Sequence, residues 1–193
     1  SQTNEAWFTK TPGLKVVYPA FPYDAKGLLN TAINDPNPVL FFEHKALYRS
    51  LKSQVPDDYY TVEIGKAKTV REGAAVSIIT YGMGVHWATK AAEELNIDAD
   101  ILDLRTLAPL DIEAIYASAT KCGRVIVLHE DSLTGGIGAE ISALVTEHCF
   151  ESLDAPVMRC GSLDTPVPFQ ADLEVNYLPV ERFREKLQAL ISY

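Results

Sequence analysis

Cysteine is scarce in this chain of 193 residues: Cys122, Cys149 and Cys160 are an odd number, widely spaced, with no Cys-x-x-Cys. That spacing indicates neither a disulfide framework nor a zinc site, and a reducing compartment is the simpler expectation. Long apolar runs are also missing. The longest, such as Val39 to Phe42 and Val125 to Leu128, have strand length and fall far short of a membrane span, and no basic-then-apolar leader precedes them. Basic residues are few, 17 Lys and Arg against 26 Asp and Glu, for a net charge of −9. An acidic surface repels nucleic-acid backbones. No Gly-x-Gly-x-x-Gly occurs, no Lys-Ser/Thr follows a glycine-rich turn, and no Ser/His/Asp or Cys/His set can be assembled from spacing.

What remains is a composition, 47% hydrophobic and 22% charged, that can bury a substantial core. The charge is uneven. Residues 1–80 carry nine Lys and Arg against eight Asp and Glu, and residues 81–193 carry eight against eighteen. The second part would therefore attract a basic partner, with charge kept for solubility as the plainer alternative.

Leu28, Leu29, Ala32 and Ile33 repeat with helical spacing over 23–33, the cluster Asn34-Asp35-Pro36-Asn37-Pro38 stops that helix, and Val39 to Glu43 reads as a buried strand. Before them only Lys15 to Tyr18 offers a short strand. One helix and two strands cannot enclose a core. Residues 1–45 are therefore expected to be the tail of a domain, a view that the opening Ser1, in place of methionine, also favours. Residues 46–73 are expected to be a connector. From residue 74 to 193 the pattern is regular. Strands are predicted over 75–80, 99–104, 124–129 and 157–160, helices over 85–95, 111–120 and 137–149, and a last amphipathic helix over 179–191. This alternation predicts an α/β fold with a mainly parallel sheet covered on both faces.

Two stretches could carry chemistry. His129 to Gly138 sits where a strand ends and a helix begins, the usual ligand position in open α/β sheets. Glycines there could cradle a phosphate at Leu133 to Gly138, although a structural turn is favoured. His129 and Glu130 could act as acid and base, but neighbours on a strand point to opposite faces. The end of the first helix, with Asp35, Asn37 and unpaired carbonyls, offers hard oxygen ligands to a cation, although helix-ending turns of this kind usually bind nothing.

Several stretches resemble the β subunit of the 2-oxo acid dehydrogenase E1 component, and together they cover nearly the whole chain. They include Ser-Gln-Thr-Asn-Glu-Ala-Trp-Phe at 1–8, Ala-Lys-Gly-Leu-Leu at 25–29 and Asn-Pro-Val-Leu-Phe-Phe-Glu at 37–43. Further along are Asp-Leu-Arg-Thr-Leu-Ala-Pro-Leu-Asp at 103–111, His-Glu-Asp-Ser-Leu-Thr-Gly-Gly at 129–136 and Asp-Thr-Pro-Val-Pro at 164–168. Ala-Leu-Tyr-Arg at 46–49 and the histidine at 129 look more like the branched-chain (2-oxoisovalerate) members than the pyruvate members.

The resemblance implies a three-layer α/β/α transketolase carboxyl-terminal-like domain with a mainly parallel five-stranded sheet, preceded by the tail of a pyrimidine-binding α/β domain. For the intact enzyme it implies thiamine diphosphate, magnesium, and oxidative decarboxylation of a branched 2-oxo acid with acyl transfer to the E2 lipoyl group. The setting would be a multienzyme complex of branched-chain amino acid degradation. The family's active-site histidine would directly precede Ser1 and its activating glutamate would lie further upstream, so no catalytic or thiamine-binding residue is expected in 1–193. A structural potassium ion would be held in part by Ala32, Asp35 and Asn37. The basic subunit-binding domain of E2 would dock at Asp154 and at the terminal carboxylate on Tyr193. The other partners implied are the E1 α part and a second β copy, with no nucleic acid and no membrane. The location would be cytoplasmic in a bacterium or the mitochondrial matrix in a eukaryote. A free-standing module binding a phosphorylated ligand at 133–138 is the alternative.

Overall fold

A computed structural model describes residues 3–193; Ser1 and Gln2, which open the resemblance, lie outside them. In chain order the elements are α1 (Ala6–Thr9), β1 (Lys15–Val17), α2 (Pro22–Asn34), β2 (Val39–Phe41), α3 (Leu47–Ser50), β3 (Lys68–Arg71), β4 (Val76–Thr80) and α4 (Met83–Glu94). There follow β5 (Ala99–Asp103), β6 (Thr106–Ala108), α5 (Ile112–Cys122), β7 (Val125–Ser132), α6 (Gly138–Cys149), β8 (Met158–Ser162), α7 (Ala171–Tyr177) and α8 (Val180–Ile191).

The larger sheet has five strands in the order β3-β5-β4-β7-β8, parallel except for β3. Alternation along β7 sends successive side chains to opposite faces. Val125 and Val127 join Ile115 and Ala119 of α5 and Ile141 and Val145 of α6 in one buried cluster. Ile126 and Leu128 join Ala88 and Ala91 of α4 and Phe183, Leu187 and Leu190 of α8 in another. The result is the expected three-layer α/β/α sandwich, in which a sheet covered on both faces needs strands apolar on both sides. The helix limits follow local chemistry. Asp111 caps α5 by accepting the Ala114 N–H at 3.3 Å, and Gly123 ends it in the left-handed region at φ 68°. Pro22 opens α2, where its missing N–H costs nothing.

Several elements depart from expectation, three of them in the sheets. The stretch expected to be a connector contains β3, which supplies the antiparallel edge strand; its Lys68 and Thr69 are exposed, so it carries no apolar pattern. Thr106 to Ala108 was not read as a strand, yet β6 joins β1 and β2 in a three-stranded sheet of order β2-β1-β6. The amino-terminal elements thus close their sheet with a strand taken from the later part of the chain. Strand β2, expected to be buried, is only half-buried because it pairs with β1 alone. Among the described residues no helix is long and apolar enough to cross a membrane.

Candidate functional site

The polar residues gather where β4, β7, β1 and β2 end. The sequence placed His129 and Glu130 on opposite faces, and the structure does so. His129 is fully buried, whereas Glu130 turns to the amino-terminal half, where its Oε2 lies 2.7 Å from His44 Nε2. His44 Nδ1 accepts the Ala46 N–H at 3.2 Å, so the ring proton sits on Nε2 and is donated to Glu130. Nearby, buried Glu5 accepts the Tyr81 hydroxyl at 2.6 Å. Neither pair could be read from spacing, since its members stand 86 and 76 residues apart.

His129 has a packing role. Cβ atoms placed on Gly136, Gly138 and Gly161 would lie 2.6, 2.7 and 2.7 Å from its ring, so three glycines leave the space the imidazole fills. Its Nδ1 meets Asp131 O at 3.0 Å and its Nε2 has no hydrogen-bond partner. Burial pushes the imidazole down to about 4, so the ring is neutral.

The start of the glycine turn at 133–138 is bonded within the protein. The Leu133 N–H goes to Ser162 O at 3.2 Å, and the Thr134 N–H and hydroxyl go to the Asp164 carboxylate at 2.9 and 2.7 Å. A phosphate at Thr134 would meet that carboxylate, which weighs towards a structural turn.

At the end of α2, the Asp35 N–H reaches Ala32 O at 3.3 Å and the Asn37 N–H reaches Asp35 Oδ1 at 2.9 Å. The structure thus brings Ala32, Asp35 and Asn37 together. Asp35 Oδ2 is ion-paired with the Lys15 ammonium, which, with the Asn37 N–H, holds this carboxyl below its ordinary value. Among the described residues no group of three or more His, Cys, Asp or Glu side chains converges as a metal site. That leaves carbonyl-rich coordination as the chemistry this helix end can offer.

Asp154 has a side chain 63% exposed, 3.7 Å from Arg124, on a turn whose N–H bonds Gly123 O at 2.8 Å. Tyr193 is 67% exposed at the end of α8. Both adjoin one core cluster, Asp154 through Ala155 and Tyr193 through Leu190. The three cysteines are free and buried, and burial pushes Cys122 and Cys160 up to about 11, which suits inert core thiols.

A three-layer α/β/α domain with its polar residues at the carboxyl ends of parallel strands defines a class that includes many cofactor enzymes. Residues 65–182 match the transketolase carboxyl-terminal domain and residues 1–50 the transketolase pyrimidine-binding domain. The chain belongs to the transketolase carboxyl-terminal domain family. It is 48% identical over 182 residues to the 2-oxoisovalerate dehydrogenase subunit beta of Bacillus subtilis (strain 168), covering 92% of this chain and 56% of the relative. It is 49% identical over 178 residues to the pyruvate dehydrogenase E1 component subunit beta of the same organism, covering 91% and 54%. A solved split gene transketolase, described as an inactive beta4 tetramer, matches with a TM-score of 0.77 at 25% identity, covering 97% of this chain and 60% of that one. The chain spans about half the length of the curated relatives it matches.

Proposed function

We propose that this chain is the carboxyl-terminal part of the β subunit of a branched-chain 2-oxo acid dehydrogenase E1 component. The intact enzyme oxidatively decarboxylates 3-methyl-2-oxobutanoate (2-oxoisovalerate) and passes the acyl group to the E2 lipoyl group, and residues 1–193 serve assembly and E2 docking. The similarity of nearly the whole chain to such β subunits carries this reading. Pyruvate and branched-chain relatives are equally close, so the substrate choice leans on residues 46–49 and on His129. Because His129 is enclosed by glycines, it marks a subfamily without reading the substrate.

Thiamine diphosphate with magnesium supplies carbanion stabilisation to the intact enzyme. In the glycine turn at 133–138 Asp164 already takes the N–H and hydroxyl of Thr134, which supports a structural part for this segment. Ala32, Asp35 and Asn37 supply hard oxygens of the kind potassium takes and would hold part of its shell. Asp154 and the carboxylate of Tyr193, in a part of the chain with eighteen Asp and Glu against eight Lys and Arg, suit the basic subunit-binding domain of E2. The E1 α part and a second β copy complete the assembly.

Calorimetric titration tests this. Binding to the E2 subunit-binding domain, with none to nucleotides or sugar phosphates, is expected. The reverse pattern would replace this reading with a module for phosphorylated ligands at 133–138. In the intact enzyme, a higher kcat/KM for 2-oxoisovalerate than for pyruvate is expected, and the opposite order would reassign the substrate.

A further inference from the structure

Docking and assembly leave one buried acid unused. Glu5, at the start of α1, is fully buried, and beyond the Tyr81 hydroxyl on Oε1 its Oε2 has no hydrogen-bond partner. The groups acting on it are Tyr81 after β4 and Glu130 and Asp131 of β7, with Tyr18 after β1 coupled to the same carboxyl. None of those acting on Glu5 is a cation among the described residues. His44, after β2, is engaged with Glu130. Asp131 accepts the Ser132 N–H at 2.7 Å, and the Ala6 backbone N–H lies close enough to lower its carboxyl, so α1 lies against β7 as well as β4. Phe8 packs on Phe42, Phe42 on Tyr18 and Tyr18 on Tyr81, so a chain of rings joins α1 to the tyrosine that bonds Glu5.

A fully buried carboxylate with one hydrogen bond and two further carboxylates nearby is disfavoured by lost hydration and by repulsion. The neutral acid in the same place keeps the Tyr81 bond and escapes both costs. We infer that Glu5 is a proton-held tie between the amino-terminal segment and the carboxyl-terminal sheet. Protonated, it closes residues 4–9 onto the ends of β4 and β7; ionised, it is repelled by Glu130 and Asp131 and releases them. Ala6 and Thr9 also line a groove of about 590 Å³, together with Leu107 to Leu110, Gly135 and Gly136, so release would widen that groove.

The direction with pH follows from linkage. Burial foremost, with Asp131 and Glu130, raises Glu5 from 4.5 to about 7, against the Tyr81 bond, which lowers it. A raised folded value means that the tie is complete below about 4.5 and is lost as pH rises through about 7. These contacts lie within the chain, so the inference stands apart from the dehydrogenase reading.

Hydrogen–deuterium exchange of the peptide spanning residues 4–10 tests it in the 193-residue chain, at pH 6 and pH 8, after correction for intrinsic exchange. Protection in the unaltered chain is expected to fall about tenfold between the two, and Glu5→Gln, which is permanently neutral, is expected to abolish that fall. An equal fall in both chains, or none in the unaltered one, overturns the inference. Should Glu5→Gln fail to fold, the carboxyl carbon shift of Glu5 in the unaltered chain decides by NMR: a midpoint near 7 supports the tie and one near 4.5 overturns it.

Discussion

The imidazole of His129 lies so close to Gly138 that a Cβ on the glycine would stand 2.7 Å from both Cδ2 and Nε2 of the ring. The ring cannot retreat, because Gly136 and Gly161 are equally tight on its Cε1 edge. Gly138→Ala is therefore expected to destabilise the fold by about 1–3 kcal/mol through overpacking. The urea midpoint should fall without a change in m. Gly135→Ala provides a contrast: at φ 76°, with open space around its Cβ, it should show only the backbone penalty of about 1–2 kcal/mol.

His129 also makes the fold acid-sensitive. Its folded value of about 4 lies below the 6.5 of the free side chain, mainly through burial, so the unfolded chain takes up the proton first. Stability from this group is fully present above about 6.5 and is lost as pH falls toward 4. The loss amounts to at most about 3 kcal/mol. Denaturation of the chain between pH 4 and pH 7 should show this slope, and His129→Gln should remove up to one proton from it. Equal slopes in the two proteins would show that His129 does not stay neutral when buried.

Arg105 stitches the two sheets together. It follows β5 with a backbone at φ 54°, a conformation a non-glycine residue seldom adopts, and its carbonyl accepts the Tyr18 N–H at 2.8 Å. Its guanidinium reaches the fully buried Asp24 of α2 at 2.9 Å and the carbonyls of Lys66 and Ala67. Among the described residues, removing it leaves Asp24 with Lys68, at 3.5 Å, as its remaining ion-pair partner. Arg105→Ala should therefore cost about 3–5 kcal/mol. Asp24→Asn combined with Arg105→Ala should recover part of that loss in a double-mutant cycle. Additivity would mean that the pair is not coupled.

These contacts also show what the sequence could reveal. Val125 to Leu128 announced a central strand because both faces of β7 are apolar, and Phe183, Leu187 and Leu190 announced α8 because one stripe of it is buried. Strand β3 was hidden, since an edge strand with two exposed residues needs no apolar pattern. Helix α7 was hidden for a related reason: Leu173 and Val175 face outward and Tyr177 alone is buried. The pairing of Glu5 with Tyr81 had no local signal, because a buried acid and its partner can be any distance apart in the chain. Asp35 and Asn37 were legible because a helix end concentrates oxygens by geometry alone.

Asp154 offers the sharpest test of the docking proposal, because Gly123 sets its position. A Cβ on Gly123 would lie 2.5 Å from Asp154 Oδ2, and at φ 68° that residue resists replacement, so the carboxylate is carried on a turn with little freedom. Its ion pair with Arg124 is long, at 3.7 Å, and its side chain is 63% exposed, which leaves the charge available to a basic partner. If E2 docks there, Asp154→Asn should slow association with the subunit-binding domain by about two- to fivefold at low salt and flatten its salt dependence, with dissociation little changed, since exposed charges act mainly on the encounter. Stopped-flow mixing at two ionic strengths measures this. Gly123→Ala should move the carboxylate without removing it and weaken docking by a comparable factor. If both variants bind as the unaltered chain does, the E2 contact lies elsewhere on the acidic surface.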